Sequence, residues 1–235
     1  VKKNILITGA SRGIGRAIAQ RLGKSHNVAV FARDASALQS LQKEIPGCIV
    51  LPGDITREED VKSSVESAQK AFGRIDVLVN NAGIGTFKRA DQFSLEEFRA
   101  IYQVNVEGTF LFTKYVLPAM IQNKAGQIIN ISSVAGLNGF KGGSAYAASK
   151  FAVNGFTESL REDVKEFGIA VSAVCPGSVA TDFGGGSAAA LLAKDYAMTP
   201  DDVAATVEYL VNESETVNAK LIELKPRRRR EFRGK

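Results

Sequence analysis

The sequence predicts an α/β fold, a doubly wound parallel sheet with helices on both faces. Three observations carry that expectation. Short apolar runs rich in Ile, Val and Ala alternate with longer helical patterns from Asn4 to Pro176, as repeated strand-helix-strand units require. The first run leads directly into a glycine-rich turn, Gly9-Ala10-Ser11-Arg12-Gly13-Ile14-Gly15. Polar residues or glycines follow the carboxyl ends of the runs, where ligands bind in such sheets.

Taken in order, Asn4 to Thr8 is a strand, and the helix after the glycines carries Ala17, Ile18, Ala19 and Leu22. Asn27 to Phe31 is the second strand, a helix lies near Ala35 to Glu44, and a third strand spans Cys48 to Leu51 with Asp54 at its end. Thr56 to Glu59 reads as a capping box opening a helix to Phe72. A strand at Ile75 to Val79 ends in Asn80-Asn81-Ala82-Gly83, and Ser94 to Glu97 caps a helix expected to run unbroken past Asn105 to Met120. The run Ile128-Ile129-Asn130-Ile131 is a buried strand ending at Ser132-Ser133, and the Ala-rich segment Ser144 to Phe167 is a long helix. Ile169 to Cys175 is a strand ending in Pro176-Gly177, and Thr199-Pro200 opens the last helix.

At 235 residues and 45% hydrophobic content, the chain can bury a full core as a single domain, residues 1–226. The formal charge of +5 belongs to residues 227–235, where six positive side chains face Glu231 alone, so residues 1–226 sum to zero. That basic tail is expected to be a solvated, disordered extension. A neutral core argues against nucleic-acid binding. No run approaches the roughly 18 apolar residues of a membrane span, and no secretory signal is read at VKKNILITG. Cys48 and Cys175 lack CxxC spacing and suit reduced thiols in the cytoplasm. The one histidine, His26, lies in a connection, which disfavours a Ser-His-Asp mechanism or a histidine zinc site.

The glycine turn between strand and helix is a phosphate-binding context: the backbone turns tightly, and unpaired N–H groups with the helix dipole favour an anion. Its spacing is GxxxGxG, not GxGxxG. About 20 residues further on, where an acid would grip the ribose of NAD, the chain has Ala32 and then Arg33. Arg33 and Arg12 can converge on a 2'-phosphate, which guanidinium groups bind bidentately, and this favours NADP(H). The alternative is that Asp34, one position on, serves NAD.

Tyr146 and Lys150 stand four residues apart on one helix and so share a face. A phenol has an unperturbed pKa of about 10. A neighbouring ammonium is expected to lower it toward the range where proton transfer works best. A serine hydroxyl at the end of the preceding strand can hold the substrate oxygen against the phenol.

With TGASRGIG at 8–15, NNAG at 80–83, Asn105, Ser133, YxxxK at 146–150 and PGSVAT at 176–181, the chain resembles the short-chain dehydrogenase/reductase family. It is most like the compact kind that includes 3-oxoacyl-acyl-carrier-protein reductases and carbonyl reductases. The resemblance implies a Rossmann-like doubly wound sheet and an oxidoreductase moving hydride between NADP(H) and a ketone or secondary alcohol, as a reductase of β-ketoacyl thioesters or other carbonyl compounds. It implies a catalytic tetrad of Asn105, Ser133, Tyr146 and Lys150, with Tyr146 the proton donor, Lys150 also on the nicotinamide ribose, and Asn105 ordering a proton-relay water. The cofactor would be held by Gly9, Ser11, Arg12, Gly13, Ile14, Gly15 and Arg33, with Asp54 and Ile55 flanking the adenine. Asn81, Ala82 and Gly83 would support it, Val179 and Thr181 would hold the carboxamide, and Pro176 and Gly177 would also bind the cofactor. The resemblance also implies a lid over residues 182–198, a segment that could equally be an unspecialised loop, and a homodimer or homotetramer packed through helices 94–120 and 144–167. Phe110, Phe112, Phe151 and Phe156 are candidates for that surface, the alternative being that they face the sheet. A protein of the same fold that binds NADP(H) without turnover is the other reading; Tyr146 and Lys150, both present, favour the enzyme. The sequence departs from the reductases at its end, where Leu221 to Pro226 replace a VDGG-like strand and glycine pair.

Overall fold

A computed structural model describes residues 1–193, 197–214 and 216–227; the arginine tail from Arg228 onward and residues 194–196 of the expected lid lie outside them. Seven strands, β1 (Asn4–Thr8), β2 (Asn27–Ala32), β3 (Ile49–Pro52), β4 (Val77–Asn80), β5 (Gly126–Ile131), β6 (Ile169–Pro176) and β7 (Leu221–Leu224), form one sheet in the order β3-β2-β1-β4-β5-β6-β7. Every pairing is parallel. The helices are α1 (Gly13–Leu22), α2 (Ala35–Glu44), α3 (Glu58–Phe72), α4 (Leu95–Tyr102), α5 (Gly108–Asn123), α6 (Ser144–Val164), α7 (Ala188–Ala193) and α8 (Pro200–Val211).

The near-continuous apolar strands follow from burial on both faces. Alternation sends Ile5, Ile7, Val28, Val30, Val77 and Val79 to one face, against Ile18, Leu22 and Leu38 of α1 and α2 and Val203, Val207 and Leu210 of α8. Leu6, Phe31, Leu78, Ile128 and Val171 face the other side, against Val61, Val65, Phe112, Val116 and Leu160 of α3, α5 and α6. Phe31 and Phe112 meet edge to face with centroids 4.8 Å apart, worth about 0.5–1.5 kcal/mol beyond the area they bury. Phe112 therefore belongs to the core, which removes it as an oligomer-surface candidate and selects the sheet-facing placement that the sequence left open. Phe110 and Phe151 are exposed, and Phe156 is half-buried against Phe110.

Two further expectations change. The capping box at Thr56 does not form: the Thr56 hydroxyl donates to Asp54 Oδ1 at 2.8 Å, and α3 starts after Arg57 without a side-chain cap. The helix expected over 94–120 is interrupted by a π-helical turn at Gln103–Glu107. Ser94 and Glu97 do form the predicted capping box. Leu221–Leu224, which the sequence marks only as a departure, pairs with β6, and Arg161 on α6 anchors its approach by donating to the carbonyls of Val171 and Lys220.

One buried polar chain crosses the second core layer. Asn80 Nδ2 donates to Thr113 Oγ1 at 3.2 Å and to Asn130 Oδ1 at 2.9 Å, and Asn130 Nδ2 donates to Thr157 Oγ1 at 2.8 Å. It ties neighbouring strands β4 and β5 to α5 and α6, the elements that carry the site described next. Removing its middle member strands buried partners. Asn130→Ala is expected to lower stability by about 2–3 kcal/mol, read as a lower urea midpoint with an unchanged denaturant slope; a loss under about 0.5 kcal/mol would show that the chain contributes little.

Candidate active site

The strand order reverses between β1 and β4, and the loops leaving these two strands border the crevice where such sheets take ligands. Gly9 adopts φ +67°, and a Cβ there would stand 2.7 Å from Ala82 Cα, so only glycine lets the two loops approach. Thr8 Oγ1 accepts the N–H groups of Asn81 and Ala82, each at 3.0 Å. Asn81 Nδ2 donates back to the carbonyls of Thr8 at 3.0 Å and Gly9 at 3.2 Å. Thr8, which opens the TGASRGIG motif but is given no site role by the sequence, thus stitches the NNAG loop to the glycine loop. The α1 N-terminus has no side-chain cap and no acid in its first turn, leaving its N–H groups suited to a diphosphate anion. These residues fit a dinucleotide.

Arg12 and Arg33 are both exposed, and neither forms an ion pair among the described residues. The Gly9 N–H donates to Phe31 O at 2.8 Å, bringing the glycine loop against the end of β2 from which Arg33 emerges. Asp34 caps α2 instead: its Oδ1 accepts from Ala37 N–H at 2.9 Å and from the Ser36 hydroxyl at 2.7 Å, which holds its carboxyl below the usual range. Asp54 Oδ1 is likewise taken by the Thr56 N–H and hydroxyl. Ile55 turns inward onto Gly108 of α5, so its side chain is core and only its backbone remains available beside Asp54. Ser11 lies in the loop after β1, Ile14 in the first turn of α1, Pro176 at the end of β6 and Gly177 just past it, and Thr181 reaches the glycine loop, since a Cβ on Gly13 would meet its methyl at 3.3 Å. Val179 bridges Met198, with Ala180 N–H bonded to Met198 O at 2.8 Å and Met198 N–H to Ser178 O at 2.9 Å, so the segment 182–198 is tied at both ends.

Asn105, Ser133, Tyr146 and Lys150 converge at the carboxyl ends of β4 and β5. Asn105 sits in the π-helical turn, a distortion found often at functional sites. Its Oδ1 accepts Ile84 N–H at 2.8 Å, and its Nδ2 donates to Ile84 O at 3.0 Å and to Ser149 Oγ at 3.0 Å. Ser149 donates in turn to the Tyr146 carbonyl at 2.7 Å. Ile84 and Ser149 carry no sequence signal of their own. Gly83 lies beside Asn105 and Lys150, its absent Cβ 3.4 Å from Asn105 Oδ1 and 3.7 Å from Lys150 Nζ. Between the adjacent serines the structure discriminates: Ser132 donates to Lys150 O at 3.3 Å inside the core, whereas Ser133, which accepts from Ala135 N–H at 3.1 Å, stands beside the Tyr146 hydroxyl.

The electrostatics differ from the sequence expectation in one respect. Lys150 Nζ lies 5.9 Å from the Tyr146 ring centroid and donates to Ile131 O at 2.9 Å. Both residues are buried. Burial disfavours the charged form of each: it pushes the Tyr146 phenol up to about 12, partly offset by the Ser133 hydroxyl, and pushes Lys150 down to about 8. Burial therefore outweighs any acidification by the lysine, and the phenol is shifted up and not down. At neutral pH the site presents a protonated phenol backed by an ammonium, which is the form of an acid.

A sequence model described as short chain dehydrogenase matches residues 3–191. The 3-oxoacyl-acyl-carrier-protein reductase of Synechocystis sp. is 35% identical over 218 residues, 88% of each chain. The 3-ketoacyl-(acyl-carrier-protein) reductase of Brucella melitensis, solved with NADH, superposes with a TM-score of 0.90 at 29% identity over 96% of this chain and 98% of its own. An alcohol dehydrogenase from Thermococcus sibiricus, complexed with 5-hydroxy-NADP, does so with a TM-score of 0.89 at 27% identity over 98% and 99%. With the sheet order, the stitched glycine loop and the buried tyrosine-lysine pair, these likenesses agree on one conclusion: the chain belongs to the short chain dehydrogenase family.

Proposed function

We propose that the protein is an NADP(H)-dependent oxidoreductase interconverting a ketone and a secondary alcohol, and that it works as a reductase of β-ketoacyl thioesters or other carbonyl compounds. The observation that carries this reading is a buried Tyr146 with Lys150 and Ser133 around it at the strand ends. The NADH and 5-hydroxy-NADP in the two neighbour structures support a nicotinamide dinucleotide. The choice of NADP(H) is supported by exposed Arg33 just past the end of β2, by exposed Arg12 in the glycine loop, and by the engagement of Asp34 in capping α2. The Synechocystis relative supports a thioester among the carbonyl substrates.

In this reading the glycine loop, Gly9 to Gly15, and the α1 N-terminus bind the diphosphate, Arg12 and Arg33 the 2'-phosphate, and Asp54 with the Ile55 backbone the adenine end. Asn81, Ala82 and Gly83 form the cofactor-side wall, Lys150 meets the ribose, and Pro176, Gly177, Val179 and Thr181 line the nicotinamide end. Bound reduced nicotinamide supplies hydride to the carbonyl carbon. Tyr146 donates its proton to the oxygen as that oxygen becomes negative, Ser133 holds the oxygen in line, and the Lys150 ammonium stabilises the phenolate left behind. Asn105, held by Ile84 and Ser149, keeps the floor of the site in place and offers a position for a water relaying protons to Lys150. The segment 182–198 acts as the lid. Two buried thiols, Cys48 and Cys175, suit the cytoplasm.

Arg33→Ala is expected to weaken NADPH binding at least about tenfold more than NADH binding; equal losses in titrations of the two cofactors would remove the 2'-phosphate role. Tyr146→Phe is expected to lower kcat by at least about a hundredfold with cofactor affinity largely kept. In the wild type, reduction is expected to fade as pH rises through about 8, because Lys150 holds its proton only below that value. A kcat/KM profile flat well above that pH would contradict the role given to the ammonium.

The protein is further proposed to form a homodimer or homotetramer through α4, α5 and α6. Exposed Phe110 and Phe151, with Phe156 behind Phe110, offer the apolar surface. Light scattering should report two or four chains at micromolar concentration, and a monomer would reject the assembly.

A further inference from the structure

The geometry points to a ketone bearing an aryl ring as the substrate, with the ring held against a cluster of Phe87, Phe140 and Phe183 beside Tyr146. This inference rests on the reading of Tyr146 as the proton donor. The three phenylalanines come from three loops: one leaving β4, one preceding α6 and one leaving β6. Phe87 is central. Its centroid lies 5.5 Å from that of Tyr146 with the rings at 87°, 5.7 Å from Phe140 and 6.4 Å from Phe183, while Tyr146 and Phe183 lie 5.5 Å apart.

Glycines seat the rings. A Cβ on Gly85 would stand 2.7 Å from the Phe183 ring, and Cβ atoms on Gly143 and Gly184 would overlap Phe140 and Phe87. The cluster is also open: Phe87, Phe140 and Phe183 are 43%, 48% and 37% exposed, against 8% for Tyr146. Apolar rings left uncovered around a buried polar group are what a ligand with the complementary pattern covers. Neighbouring charges are largely engaged elsewhere. Lys88 is paired with Glu97 at 2.6 Å and lies over Phe93, and Arg89 is paired with Asp91 at 2.6 Å. Lys141, on the Phe140 loop, is exposed.

Beside the phenol the cluster thus offers ring edges and faces. An aryl group fills such a place with edge-to-face contacts and few rotors to freeze, whereas a straight alkyl chain gains area alone and loses more freedom. Phe87, touching both the phenol and the other two rings, is the specificity-determining residue.

The test compares acetophenone with a straight-chain methyl ketone of equal carbon number at saturating NADPH. Alongside it, calorimetry measures binding of the corresponding aryl and alkyl alcohols to the protein loaded with NADP+. The expected result is an aryl preference of at least about tenfold in kcat/KM, expressed mainly in KM. Phe87→Ala should cut that preference about tenfold and Phe87→Tyr should keep it. An equal or reversed preference in the wild type, or one unchanged in folded Phe87→Ala, would overturn the inference. If neither ketone turns over, the alcohol titrations decide: tighter binding of the aryl alcohol would still support the aromatic site, and equal or absent binding of the two alcohols would overturn it, while the proton-donor reading fails only if a β-ketoacyl thioester is also left unreduced.

Discussion

Burial of the Lys150 ammonium is the constraint on which the rest of the site depends. A cation taken out of water keeps its charge only where other groups replace the solvent. Here the protein supplies the Ile131 carbonyl at 2.9 Å, with Gly83 and the Tyr146 ring nearby. Because Ile131 ends β5 and Lys150 stands on α6, that hydrogen bond sets the helix against the strand end and directs Tyr146 toward Ser133. The same dry surroundings keep the phenol protonated, so a single physical cause gives the site both its geometry and its acid form.

Two sets of polar contacts hold the surroundings of that pair. One is the buried run from Asn80 through Asn130 to Thr157, which joins β4 and β5 to the helices over them. The other is the stitching of Thr8 and Asn81 across the crevice between β1 and β4. Asn105 extends this support, because its side chain satisfies both backbone groups of Ile84 and reaches Ser149 on α6. The helix gives up its regular turn there, and the loop after β4 gains a fixed position over Lys150.

What could be read from the sequence was local or periodic. Apolar runs bounded by glycines gave the first six strands within about two residues, and the YxxxK spacing put Tyr146 and Lys150 on one face of α6. What escaped depends on contacts distant in sequence. The π-helical turn answers to Ile84, some twenty residues away. The Thr56 cap is the local exception, lost because its hydroxyl bonds Asp54 two residues back. Phe112 looks no different in sequence from Phe110, yet one meets Phe31 in the core and the other meets solvent. β7 has only four residues, half of them exposed, too few for a pattern. The direction of the Tyr146 shift could not be read either, since spacing reports that a lysine is near but not how deeply both groups are buried.

The measurement that tests the account most directly is oxidation of NADPH by the purified wild-type protein as ketone is added, with the alcohol product quantified. The account predicts ketone-dependent loss of NADPH with one alcohol formed for each NADPH consumed. NADPH that binds but is not consumed with aryl ketones, alkyl ketones or a β-ketoacyl thioester would contradict it, leaving a dinucleotide-binding protein whose buried tyrosine does no chemistry.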